Sequence, residues 1–175
     1  MNPPVVMSLK CAVLFSLSLL MVPAADAAAA DPVSTLLPGA DQKMLWLTPG
    51  LKQRIEAVLG HAYPGLRIRY WQAGSRTAWI LDEIGKEQPI TAGITIESGH
   101  IVDMRVLGYR ESRGGEVQQA FFTRQFAGAA LDSGKDALNR RIDGITGATL
   151  SVSAMRKMAA LALLLDSQRP QSSSG

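Results

Sequence analysis

The sequence predicts one α+β domain built on a mainly antiparallel sheet with flanking helices. Three observations carry that expectation. Four successive segments between Leu66 and Gly108 show strand patterning. The last two of them are joined by Ser98-Gly99, a hairpin signal. Helical patterns bound the series at both ends, one opened by Thr48-Pro49 and one running from about Thr149 to Asp166.

The chain starts with a single charge, Lys10, and an unbroken apolar and small run from Cys11 to Val22, followed by Pro23 and the stretch AADAAAA. A basic residue, a short apolar core and the site Ala25-Asp26-Ala27 make residues 1–27 a secretory signal peptide. The alternative, an uncleaved N-terminal membrane anchor, needs about 20 predominantly apolar residues, and this run is shorter. Cys11 precedes the apolar core instead of following it, which speaks against a lipidated N-terminus. The product expected is soluble and periplasmic. It keeps no cysteine, so disulfides, thiolate nucleophiles and cysteine metal sites are excluded. One basic and one acidic residue leave with the leader, so the formal net charge stays at +3. That balance is mild and its cations are scattered, which does not argue for nucleic acid as a partner.

Residues 28–47 read as a lead-in that packs a few apolar side chains, residues 48–167 as the folded domain, and residues 168–175 as a frayed, disordered tail. Thr48 is the expected N-cap of the first helix and Pro49 its first residue; Leu51, Ile55, Val58 and Leu59 recur at helical spacing until Gly60. Tyr63-Pro64-Gly65 is a turn. Leu66, Ile68 and Tyr70 then alternate with Arg67, Arg69 and Trp71, a half-buried strand. Thr77–Leu81, Pro89–Glu97 and His100–Gly108 are the next three strands. After a loop from Tyr109 to Glu116, Val117 to Ala127 reads as a short helix with Phe121, Phe122 and Phe126 inward. Residues 128–148 are mostly irregular, and Met155, Met158 and Leu161 to Leu165 form the core face of the last helix.

Chemistry concentrates where that helix begins. Residues 143–149 read DGITGAT. Asp143-Gly144 makes a turn, Gly147 and Ala148 leave the backbone uncovered, and Thr149 or Ser151 caps the helix. Free N–H groups and the dipole at such a helix start favour a phosphate. A plain capped turn with no ligand accounts for the spacing equally well.

The segment DGITGAT is similar to the flavinylation motif of the FMN-binding domain family, which includes the C subunit of the sodium-translocating NADH:quinone reductase and the G subunit of Rnf complexes. The resemblance implies a covalent FMN, joined through its phosphate to Thr149. Asp143, Gly144, Thr146, Gly147 and Ala148 would then form the motif recognised by a flavin transferase, which moves FMN from FAD onto the threonine; Ser151 is a second hydroxyl nearby. The likeness extends over roughly residues 88–166. A strand hairpin, ITAGITIESGHIVDMRVL, precedes a loop, YRESRGGEV, that resembles the family's His-x-Glu-Thr-Pro-Gly loop; a helical stretch and the threonine motif follow. Glu111, Ser112 and Gly114 match the loop's Glu, Thr and first Gly, while Arg113 stands in place of its Pro. The fold implied is the same α+β domain, and export agrees with a transferase that acts outside the cytoplasm.

No acid–base pair, nucleophile–histidine pair or metal cluster is visible, so the expectation is an electron carrier instead of an enzyme. Its partners would be the transferase and a redox protein, either soluble or membrane-associated. Two alternatives stay open: a non-redox periplasmic interaction domain, and an FMN-bearing subunit of a membrane-associated reductase. Arg110, Arg113, Arg124, Arg140 and Arg141 surround the loop and motif, and each could favour a phosphate or a reduced flavin or simply be solvated. His61 and His100 read as surface or turn histidines, and Trp46, Trp71 and Trp79 as core by default. Glu111, with Ser112 and Gly114, reads as part of a cofactor-binding loop; the alternative is that Glu111 caps the following helix or pairs with a neighbouring arginine.

Overall fold

The computed structural model describes residues 32–170; the expected leader and the last five residues of the expected tail lie outside the described residues. The elements in chain order are α1 (Pro32–Leu36), β1 (Asp41–Trp46), α2 (Pro49–Leu59), β2 (Arg67–Ala73), β3 (Arg76–Ile84), β4 (Pro89–Glu97), β5 (His100–Tyr109), α3 (Ala120–Thr123) and α4 (Thr149–Ser167). The five strands form one sheet in the order β1-β2-β3-β4-β5, each antiparallel to its neighbours.

Local chemistry sets these boundaries. Thr48 Oγ1 accepts the Leu51 N–H at 3.3 Å, and Pro49 opens α2. Gly60 ends it at φ 79°, its N–H donating to Glu56 O at 2.7 Å. Between β4 and β5, Ser98 (φ 50°) and Gly99 (φ 75°) both lie in the left-handed region, the turn whose twist suits a two-residue hairpin. Register shifts between Thr91 and Ala92 and between Thr95 and Ile96 bulge the β4–β5 ladder.

One face of the sheet carries the main core. Ile68, Tyr70, Trp79, Leu81, Ile94, Ile96 and Met104 are buried in it together with the apolar side of α2. The Tyr70 and Trp79 rings stack at 4.9 Å and 16°. Helix α4 packs on β3, β4 and α2, and from Val152 onward it is buried almost all round. That position explains why its sequence lacks a polar face. At its far end the buried Asp166 accepts the Thr77 hydroxyl at 2.6 Å, and Thr77 in turn accepts Trp79 Nε1 at 3.2 Å. On the opposite face, Leu36 and Leu37 form a small cluster with Ala78. Gly93 permits this, since a Cβ there would stand 2.4 Å from Leu36 Cδ1.

The α+β class and the antiparallel sheet are as the sequence predicts; several local readings differ, among them Trp46, which lies on edge strand β1 with its side chain exposed instead of in the core. The lead-in supplies α1 and an edge strand, β1, whose only buried residue is Leu45, too little to produce an alternating pattern. Leu66 lies before β2 and is 66% exposed, while Ile68 and Tyr70 are buried. The helix expected over Val117–Ala127 is broken into a 3-10 turn (Gly115–Gln118), α3 and a second 3-10 turn (Arg124–Phe126). Gln119, extended at φ −75° and ψ 145°, makes the first break. Phe122 and Phe126 are buried edge to face at 5.5 Å, but Phe121 is exposed.

Candidate functional site

The residues of DGITGAT approach α4 from a buried anchor. Ile142 is buried and its carbonyl accepts the Arg156 guanidinium, which ties the entry of the segment to the helix it feeds. Asp143 and Gly144 then turn outward; the Asp143 N–H donates to Gln125 Oε1 at 2.7 Å, and its exposed carboxylate lies 4.0 Å from Arg141. Thr146-Gly147 forms the next turn, with Gly147 at φ 82° and the Ala148 N–H returning to Ile145 O at 3.0 Å. The cap position of α4 is Ala148, which has no side chain to offer, and neither Thr149 nor Ser151 caps the helix. The first helical hydrogen bond runs from Val152 N to Ala148 O at 2.9 Å. The amides of Thr149, Leu150 and Ser151 lie ahead of it, at the positive end of a 19-residue helix.

The two candidate hydroxyls differ in environment. Thr149 is the first residue of α4 and is exposed. Ser151 is buried, its Oγ 3.2 Å from the Tyr109 hydroxyl. Tyr109 gives its own proton to Arg113 O at 2.5 Å, so Ser151 is the donor of the pair. This link fastens the 109–115 loop to the start of α4. Gly114 sits at the junction with φ +82°, and a Cβ there would come within 3.0 Å of both Ser151 Oγ and the Tyr109 hydroxyl and 3.3 Å of Ala148 Cβ. Only glycine lets the backbone pass so close in that conformation.

Between loop and motif lies an open groove of about 680 Å³, walled by Ser112–Glu116, Gln118 and Gln119 on one side and by Thr146 and Gly147 on the other. Its volume falls within the range of about 300–1,000 Å³ usual for small-molecule sites. Of the arginines around the motif, Arg113 lines this groove. Arg140 is turned to the carbonyls of Ala127 (2.8 Å) and Gln125 (3.5 Å).

Glu111 neither caps a helix nor pairs with an arginine. Its Oε1 accepts three backbone N–H groups from the β3–β4 turn, those of Lys86 at 2.5 Å, Glu87 at 2.7 Å and Gln88 at 3.0 Å. These donors, Gln88 first, hold its carboxyl below the ordinary carboxylate value. Gly85 makes room, since a Cβ there would be 2.9 Å from the same oxygen. Glu111 is therefore the strut that holds the loop in place from behind.

The structure thus brings Ser112, Gly114, Thr146, Gly147, Ala148 and Ser151 together, with Thr149 exposed beside them. Gly144 has open space around its Cα, and Asp143 faces solvent. Sequence reasoning missed Tyr109, Gln125 and Arg156, whose partners lie 42, 18 and 14 residues away. An aromatic closing a strand just before a glycine-rich loop was the one available hint, at Tyr109. It also missed Glu83, buried on β3, which takes His61 Nε2 at 3.0 Å and Lys157 Nζ at 3.2 Å. His100 is a surface histidine beside Ser98 O at 2.9 Å.

The groove and the helix start next to it fit a flavin mononucleotide in kind: the groove offers a glycine-lined wall open to a planar ring, and just after Gly147 the start of α4 offers amides without a side-chain cap and the exposed Thr149. A search of the curated proteins returns no match to the chain. Residues 85–164 match the model of the FMN-binding domain family, a stretch that runs from the β3–β4 turn held by Glu111 through the groove and into α4. Residues 85–164 are thus a domain of the FMN-binding family.

Proposed function

We propose that this chain is an exported electron-transfer flavoprotein whose FMN is esterified through its phosphate to Thr149. The observation that carries the reading is the contrast at the start of α4: the Thr149 hydroxyl is exposed beside uncapped amides, whereas the Ser151 hydroxyl is consumed by Tyr109. In the attachment, Thr149 Oγ1 replaces AMP on the flavin-side phosphorus of FAD. One P–O bond forms, the pyrophosphate P–O bond breaks, and the hydroxyl proton leaves with AMP. A flavin transferase supplies that catalysis, and the exposed Asp143 is the side chain most open to its recognition. Once bound, the flavin supplies the redox chemistry. The chain's own part is to hold the phosphate end at the start of α4 and to shape the wall beside the ring with Ser112, Arg113 and Gly114.

The pattern of residues 1–27 supports export to the periplasm, and a tether has a physical use outside the cytoplasm: occupancy by a dissociable cofactor depends on its free concentration, which dilution would lower. Among the described residues no helix is long and apolar enough to cross a membrane. The test is intact mass and in-gel flavin fluorescence after co-expression with a flavin transferase. A gain of one FMN less one water, on a chain beginning near Ala28, is expected. An unmodified, colourless chain would leave the non-redox interaction domain as the better reading.

A further inference from the structure

We propose that the corner of the sheet carrying Trp46, Arg67 and Arg69 is a docking surface for an anionic lipid bilayer. Strand β1 is an edge strand, and across its register with β2 Trp46 stands opposite Arg67 and Met44 opposite Arg69. These four side chains share the outer face of the sheet, away from α4. Trp46 is 65% exposed and Met44 37%. The Arg67 guanidinium lies over the Trp46 ring at 5.7 Å.

Charge distinguishes this corner from an ordinary apolar patch. Neither Arg67 nor Arg69 has a carboxylate partner among the described residues, where Arg54, Arg76, Arg105, Arg141 and Arg169 each have one. Both arginines line a groove of about 920 Å³ whose one carboxylate, Asp82, accepts the Thr91 hydroxyl at 2.5 Å. An exposed indole beside Met44 and guanidinium groups that lack carboxylate partners matches the headgroup layer of a bilayer: the ring and the thioether sit at the interface and the cations meet phosphates.

The path of the chain leads to the same corner. Pro32 and Val33 line the groove. The apolar run that ends at Val22 precedes Pro32 by nine intervening residues, a span reaching at most about 35 Å. On the export reading above, on which this support rests, a chain still joined to its leader presents this corner to the membrane it has just crossed. The flavin groove follows β5 at the opposite edge of the sheet and stays free.

The test is cosedimentation of the exported chain with phosphatidylglycerol–phosphatidylcholine vesicles and with phosphatidylcholine alone. Binding to the anionic vesicles, reversed by salt and accompanied by a blue shift of indole emission, is expected. Arg67→Gln with Arg69→Gln should lower the partition coefficient at least tenfold, and Trp46→Phe should remove the shift while Trp71 and Trp79 remain. All three positions are exposed, and circular dichroism verifies that the variants fold. No binding, equal binding to neutral vesicles, or binding unchanged in the double arginine variant overturns the proposal. So does a doubled mass in solution that Trp46→Ala abolishes, which would assign the corner to a second copy of the chain. None of these outcomes reads the flavin, so they leave the function proposed above to its own test.

Discussion

Ser151 Oγ lies 3.2 Å from the hydroxyl of Tyr109, which itself donates to Arg113 O at 2.5 Å, so the residue two positions after Thr149 is spoken for by the loop across the groove. Thr149→Val is expected to abolish covalent flavin, and Ser151→Ala to retain it. The serine change should instead cost about 1 kcal/mol of stability through one lost buried hydrogen bond. Flavin fluorescence on a denaturing gel and urea denaturation read the two effects separately. Covalent flavin on Thr149→Val, or a flavin-bearing peptide modified at Ser151, would show the acceptor to be misassigned.

Glu111 makes a pH-dependent contribution to stability. Its folded-state value is depressed, chiefly by the Gln88, Glu87 and Lys86 amides. Its contribution is therefore complete above the ordinary value of 4.5 and is lost as pH falls through the lower folded value. Glu111→Gln should flatten the acid limb of stability against pH and leave the alkaline limb unchanged. Unaltered acid sensitivity in that variant would refute the role of the three amides.

His61 works in the opposite direction. The Glu83 carboxylate, helped by the Ala62 carbonyl, raises its imidazole above the ordinary 6.5. The protonated ring is thus favoured in the folded state. Its contribution is complete below 6.5 and fades as pH rises through the higher folded value. His61→Ala should therefore lower stability at pH about 5.5 more than at pH about 9. Imidazole proton shifts followed by NMR should place the titration above 6.5, and Glu83→Gln should bring it down. A wild-type titration at or below the ordinary value counts against the pair.

Thr95 is a small liability of the outer face. Its Oγ1 is buried without a hydrogen-bond partner among the described residues, and the residue lies mid-strand in β4. Thr95→Val removes the stranded hydroxyl and keeps the β-branched shape, so stability should rise by about 1 kcal/mol. Thermal or urea unfolding of the purified variant measures it. A clear loss would mean that the hydroxyl has a partner, such as a water.

What the sequence disclosed is what depends on neighbours a few residues apart. Thr48, Pro49 and Gly60 frame α2 because caps and left-handed ends are local events. Ser98-Gly99 marks a hairpin for the same reason, and DGITGAT stands at a helix start as expected. What stayed hidden depends on distant partners. Glu111 meets backbone amides 23 to 25 residues earlier, and backbone amides leave no trace in a sequence. Gln119 breaks a helical pattern that three phenylalanines seemed to extend, because only Phe122 and Phe126 had a core to enter. β1 has one inward residue and could be recognised only through its pairing with β2.

The order of strands across the sheet is the order of the chain, with α4 laid over β3 and β4 from the far end of the sequence. Strands β2 to β5 can therefore zip from turn to turn through short loops, while β1 reaches β2 across α2 and α4 must close a long loop, and long closures are slow. Until it does, Ser151 cannot meet Tyr109 and the groove has a single wall. On the attachment proposed above, Thr149 thus rides on the element that needs the longest closure to reach its place. A transferase that read the assembled groove as well as the heptapeptide would then act as an inspector, loading flavin onto finished molecules and passing over those still folding.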